Sequence, residues 1–123
     1  MSSATVKDYE EIMKVLNAYV QGGVSGKSEV MKPSFHKNAT IYGCDQNGGL
    51  SGGSIQNLYN VVDEGGPAQN LKARIDILDI EGTIASARIV LENVYGANYT
   101  DFQHLLKIDG EWKIISKIYH QQS

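Results

Sequence analysis

The stretch that decides the fold is Asn98–His120, NYTDFQHLLKIDGEWKIISKIYH. Two strand-like runs meet at Asp109-Gly110. This dipeptide suits a two-residue type I′ hairpin turn, because Gly110 takes positive φ without a Cβ penalty and Asp109 tolerates it better than most residues. The turn pairs Ile108 with Glu111 and sets the register. Strict alternation then puts Thr100, Phe102, His104, Leu106 and Ile108 on one face, with Lys113, Ile115, Lys117 and Tyr119 across the ladder. The other face carries Tyr99, Asp101, Gln103 and Leu105, with Trp112, Ile114, Ser116 and Ile118. Both faces are substantially apolar, whereas a sheet with one wet face alternates more cleanly. Both are therefore expected to be covered, one by the chain's own helices and one by a second subunit.

Upstream of the hairpin the pattern stays β. Ile84 to Val94 reads as a strand that begins with the small residues Ala85, Ser86 and Ala87. Leu71 to Ile80 alternates except at Ile77-Leu78, where a bulge accounts for the break. Glu81-Gly82-Thr83 joins these two runs, and Gly96-Ala97 separates them from the hairpin. The first half is helical. Val6, Tyr9, Ile12, Met13, Leu16, Tyr19 and Val20 recur at helical spacing, and Gly22-Gly23 reads as the stop. Residues 25–36 read as a second, broken helix capped by Ser25 or Ser28 and limited by Pro33. Ala39 to Asp45 is a strand, Gln46-Asn47-Gly48-Gly49 a turn, and Leu50-Ser51 the beginning of a short return strand. Ser54 then caps a helix that carries Ile55, Leu58, Tyr59 and Val62 on one stripe and stops at Gly65-Gly66-Pro67. Helices first and a meander of antiparallel strands after them make the fold class α+β.

The 123 residues suffice for one domain, taken as 1–123, with one core. A net charge of −3 with only 11 basic residues, none clustered, gives no electrostatic footprint for nucleic acid. No apolar run approaches the ~20 residues of a membrane span, and the start MSSATVKDYEE lacks the basic and apolar segments of a signal peptide. The single cysteine, Cys44, cannot form an internal disulfide, and a reducing cytoplasm is the expected location.

The chain also resembles a known family. The helix exit AYVQGGVSG (18–26), the strand entry SFHKNATIYG (34–43) and the terminal TDFQHLLKIDGEWKIISKIYH (100–120) occur in the order and spacing of the nuclear transport factor 2-like (SnoaL-like) superfamily. Within it they are similar to the group labelled "putative lumazine-binding". The resemblance implies a cone-shaped, cystatin-like fold, with a strongly curved antiparallel or mixed sheet wrapped around N-terminal helices. It also implies a pocket in the cone and a homodimer through the outer sheet face. It leaves the activity open, because this scaffold hosts isomerases, hydratases, cyclases, binding modules and association domains.

Ketosteroid isomerase is the sharpest enzyme template on the scaffold. It needs a carboxylate base and an oxyanion hole built from a tyrosine and a second acid. The tyrosine position falls on Tyr19, the base on Gly43 and the second acid on His104, so the base is missing, and Asp45 lies two residues further along. The resemblance turns the His104 face of the hairpin toward the cone interior. His104 is then the best acid–base candidate, with Phe102, Lys117 and Tyr119 beside it and Tyr19, Phe35 and Tyr42 framing the rest of a mainly apolar ligand site. Leu105, Trp112, Ile114 and Ile118 would form the dimer face. His36, His104 and His120 lack metal-ligand spacing, and no metal or cofactor is called for. Asp45–Gly49 lacks the later ligands of a calcium loop, and Gly48–Ser54 lacks the lysine of a phosphate-binding loop. The expected function is therefore binding of a small organic molecule. The alternatives are an isomerase or dehydratase that uses His104, and a homo-oligomeric association domain.

Overall fold

A computed structural model describes residues 4–122. Helix α1 spans Val6–Ser25, and a short α2, Ser28–Met31, runs into a 3-10 turn at Lys32–Ser34. Strands β1 (Phe35–Cys44) and β2 (Leu50–Ser54) follow, then α3 (Gln56–Gly65) and the strands β3 (Lys72–Glu81), β4 (Ile84–Val94), β5 (Ala97–Ile108) and β6 (Glu111–Gln121). The six strands make one sheet in the order β2-β1-β6-β5-β4-β3. Among the described residues only the β1–β6 pairing is parallel, so the sheet is mixed, and its order is open rather than closed on itself.

Helix α1 starts where Thr5 and Asp8 form a reciprocal capping box. Its stripe of Ile12, Leu16, Tyr19 and Val20 is buried against the sheet together with Ile89, Leu105 and Ile114. Each fully buried aliphatic chain of this kind contributes roughly 1.5–3 kcal/mol. Gly22-Gly23 does not end the helix as expected. The helix runs on to Ser25, and Gly26, at φ 69°, makes the left-handed cap. Gly22 serves close packing instead, since a Cβ there would lie 2.7 Å from Met31 Cβ. Neither Ser25 nor Ser28 caps α2. Asp63 of α3 does so from a distance, accepting the Ser28 N–H at 2.9 Å and its hydroxyl at 2.8 Å. These two donors hold the Asp63 carboxyl below its ordinary range. Ser54 sits one residue before the α3 N-cap, Ile55, and accepts the Gln56 N–H at 3.2 Å.

The hairpin turn has the expected form, with φ 52° at Asp109 and 79° at Gly110, and Ile108 opposes Glu111. Leu78 is the bulge residue of β3. A second bulge, which the alternation argument does not contain, changes the hairpin. His104 pairs with Ser116 but Leu105 pairs with Ile114, so Ile115 is unpaired. Beyond it the register slips by one, and a one-residue slip sends every later side chain to the opposite face.

The consequences are large. Trp112 and Ile114 before the bulge, and Lys117 and Tyr119 after it, all lie on the concave face with Asp101, Gln103 and Leu105. Leu105, Trp112 and Ile114 are thus core residues, at most 2% exposed, and cannot form a dimer face. Phe102, His104 and Ile118 lie on the outer face, exposed, and Tyr42 sits in register with Ile118 there. Near the tip of the hairpin Trp112 is buried against the start of α1. Its indole N–H donates to Asp8 Oδ1 at 3.1 Å, and Lys107 reaches the same oxygen at 3.2 Å.

Candidate functional site

A cavity of about 500 Å³ lies between α1, α3 and the concave face of the sheet. Its walls are mostly apolar, with Leu58 and Val62 from α3, Leu71 from the following loop and Leu91 from β4. Tyr95 and Tyr99 also line it. The Tyr95 hydroxyl donates to the Gly66 carbonyl at 2.6 Å, which ties the β4–β5 turn to the end of α3. Tyr95 holds φ 52°, a conformation uncommon for a bulky side chain.

The polar groups converge where α1 crosses β6. Lys117, Tyr119 and Tyr19 line the cavity there. The Lys117 ammonium is 5.6 Å from the Tyr19 ring centroid and 5.1 Å from that of Tyr119, a cation–π arrangement on both sides. Gly43 admits the Tyr119 ring, because a Cβ at that position would come within 2.5 Å of it.

Behind these groups lies Asp101, fully buried. Its Oδ2 accepts the Tyr19 hydroxyl at 2.9 Å and the Gln103 side-chain N–H at 3.1 Å. Its Oδ1 meets the Lys117 ammonium at 3.3 Å, an ion-pair distance without an aligned hydrogen bond. Gln103 Oε1 has no partner among the described residues. Burial, reinforced by the Asp101 charge, raises the Tyr19 hydroxyl well above its ordinary value, so Tyr19 remains a protonated donor at physiological pH. The result is a neutral lysine–carboxylate pair in which only the lysine faces the void.

The structure brings three of the expected site residues, Tyr19, Lys117 and Tyr119, to one cavity. Phe35 is buried in the core instead, edge-on to Tyr19 at 5.8 Å and to Tyr59 at 6.0 Å. Tyr42, Phe102 and His104 are on the far side of the sheet, so the acid–base role expected for His104 is lost to the Ile115 bulge. His104 lies instead beside Asp79 and Glu81 in a separate surface depression. Asp45 does not reach the cavity either; its carboxylate accepts the Asn47 and Gly49 N–H groups at 2.9 and 2.8 Å and shapes the β1–β2 turn. Sequence reasoning missed Asp101 and Gln103. The available signal was Lys117 itself, since a lysine within an apolar strand needs a counter-charge, and Asp101 on the neighbouring strand can supply one. Among the described residues, no group of three or more His, Cys, Asp or Glu side chains could hold a metal ion. No helix among them is long and apolar enough to cross a membrane.

Helices laid over the concave face of an open six-stranded sheet, with a pocket between them, define a nuclear transport factor 2-like protein. Two crystal structures share that architecture. A protein of this class and of unknown function from Shewanella baltica OS155 superposes with a TM-score of 0.94 at 43% identity, covering 98% of each chain. Another, from Methylobacillus flagellatus KT, gives 0.93 at 40% identity over 99% of this chain and 98% of that one. Within the class, the chain belongs to the family described as "Putative lumazine-binding", which matches residues 7–120. A protein named Aldolase FrzH, from a Cladobotryum species, is 35% identical over 117 residues, 94% of this chain and 93% of the relative.

Proposed function

We propose that this chain, read as one domain over 1–123, binds a small, mainly apolar organic molecule that carries a carbonyl oxygen. The observation behind this is the position of Lys117, whose ammonium borders the cavity beside two tyrosine rings. A carbonyl oxygen accepts a hydrogen bond from such a group, and the surrounding walls take up a carbon skeleton. A neutral ligand is favoured over an anion, because Asp101 already balances the lysine charge. The volume of about 500 Å³ falls within the roughly 300–1,000 Å³ of small-molecule sites. The family description, which names a small organic ligand, agrees with this size class.

A second reading, catalysis of an aldol-type reaction, draws on the aldolase name of the 35% identical relative. An enolate oxygen that develops beside Lys117 would be stabilised by the same ammonium, and a preorganised charge of this kind is often the largest contribution to rate. Exposed Phe102 and Ile118, paired across β5 and β6, support a homodimer through the outer sheet face. The exposed, unpaired Cys44 is compatible with a cytoplasmic setting.

Ligand-observed NMR with acetophenone and its hydrocarbon analogue ethylbenzene tests the binding reading. Wild type should prefer acetophenone, and the charge-neutral Lys117→Met/Asp101→Leu double variant should lose the preference. Equal binding of both compounds by wild type would remove the carbonyl assignment. Binding of neither would remove the ligand site.

A further inference from the structure

We propose that Lys117 captures its carbonyl ligand covalently, as an imine. The inference rests on the binding reading above and adds a chemical step to it. Of the polar groups that meet at the cavity floor, Lys117 alone carries a nucleophilic nitrogen, and its side chain is only 6% exposed. Two features of its surroundings serve that chemistry. The first is a proton acceptor in place. An ammonium must lose a proton before its nitrogen can attack, and Asp101 Oδ1 lies 3.3 Å from Nζ with no hydrogen-bond donor aligned on it. The other carboxylate oxygen is held by Tyr19 and Gln103, so the acceptor is fixed in orientation. The second is the mostly apolar wall of the cavity, against which the carbon skeleton of a carbonyl compound packs beside the amine.

The step balances. The Lys117 ammonium passes a proton to Asp101. The amine then adds to the carbonyl carbon, forming a C–N bond as the C=O π bond opens, and the second amine proton moves to the oxygen to give a neutral carbinolamine. Asp101 returns its proton to the carbinolamine nitrogen, that nitrogen passes one to the hydroxyl, which leaves as water, and the nitrogen lone pair forms the protonated imine. One positive charge enters as ammonium and one remains as iminium, with no oxidant or reductant required. Asp101 works through Lys117 and is a positioning and proton-holding residue. The ligand class is narrowed to aldehydes and unhindered ketones, since esters and amides do not give imines under these conditions.

The test is reductive trapping. The intact protein is incubated near neutral pH with benzaldehyde and cyanoborohydride, and the adducts are located by peptide mapping against time. The expected result is one fast benzyl adduct on Lys117, with the exposed lysines labelled later. Asp101→Asn, which keeps an acceptor for Tyr19, should slow capture at Lys117 by about a hundredfold, the scale of a lost general base, with rates compared at saturating benzaldehyde so that a change in binding does not enter. Lys117→Arg should abolish the fast adduct and retain the folded far-UV spectrum. If benzaldehyde occupies the cavity by NMR and Lys117 is labelled no faster than the exposed lysines, covalent capture is wrong and the binding reading survives. If benzaldehyde neither occupies the cavity nor labels Lys117, both fall.

Discussion

Each end of the terminal hairpin joins with α1 to gather an acid, a lysine and an aromatic donor, and the two ends do different things with them. At the turn end, Asp8 meets Lys107 and the Trp112 indole. At the other, Asp101 meets Lys117 and the Tyr19 phenol. Asp8 is saturated. Trp112 and Lys107 share one oxygen, and the Thr5 backbone N–H and hydroxyl take the other at 3.1 Å each. Lys107 reaches in from solvent with its side chain 35% exposed, and none of Asp8, Lys107 and Trp112 lines the cavity. This is a staple that fixes the start of α1 to the hairpin. Asp101 is buried among fewer donors, and its lysine turns toward a cavity. A carboxylate with its acceptors filled, away from the cavity, holds structure. The same carboxylate behind a lysine that faces a hollow leaves that lysine free to meet something else.

The largest test of this contrast removes each lysine in turn. Lys117→Met leaves Asp101 buried without its counter-charge and should cost about 3–5 kcal/mol in urea unfolding, most of it recovered when Asp101→Leu is added. Lys107→Met should cost only a small fraction of that, because three other donors still serve Asp8 and water reaches the site. Equal losses at the two ends would erase the distinction between staple and site.

Asp8 supplies the next test, through pH. The Trp112 indole N–H first, then the Thr5 backbone N–H, hold its carboxyl down at about 2. The folded value lies below the unfolded one, so its stabilisation is complete above the ordinary carboxylate value of about 4 and is lost as pH falls through about 2. The stability gap between wild type and Asp8→Asn should therefore be widest near neutrality and close steadily from pH ~4 to ~2, read as urea midpoints. A gap that stays constant over that range would mean the indole does not hold the charge.

Gly43→Ala probes the open end with a single methyl group. It would displace the Tyr119 ring, which has a cavity to move into, so the cost should be near 1 kcal/mol, the low end of overpacking. The cavity would change shape, and binding of bulky ketones should weaken more than stability does. The smallest effect belongs to the outer face. Ile118→Glu should leave monomer stability within about 0.5 kcal/mol, yet convert a dimer to a monomer in sedimentation at micromolar concentration. A wild-type monomer under those conditions would end the dimer proposal.

Much of the architecture was legible because it is local. Asp109-Gly110 specified its turn, Ile77-Leu78 betrayed the β3 bulge, and Ile84 to Val94 matched its strand residue for residue. The site was half legible. Alternation and the family resemblance put Tyr19, Lys117 and Tyr119 on the cavity side, but they also put Asp101 and Gln103 on the opposite face and His104 in their place.

Element order, the hairpin and the α+β class are written in the sequence by itself, since each follows from short-range periodicity and turn chemistry, and three longer segments carry the resemblance to the family. Which face of the hairpin looks inward is decided only by the tertiary structure. Ile115 carries no local mark of a bulge; it is extruded because Trp112 and Ile114 must reach the core while Lys117, two residues beyond it, must reach Asp101. The pairing of Tyr19 with Asp101 spans 82 residues and exists only once α1 lies across the sheet. Burial and charge pairing act on the assembled molecule, and a one-residue slip within a strand is enough for them to exchange a surface histidine for a buried carboxylate at the centre of the site.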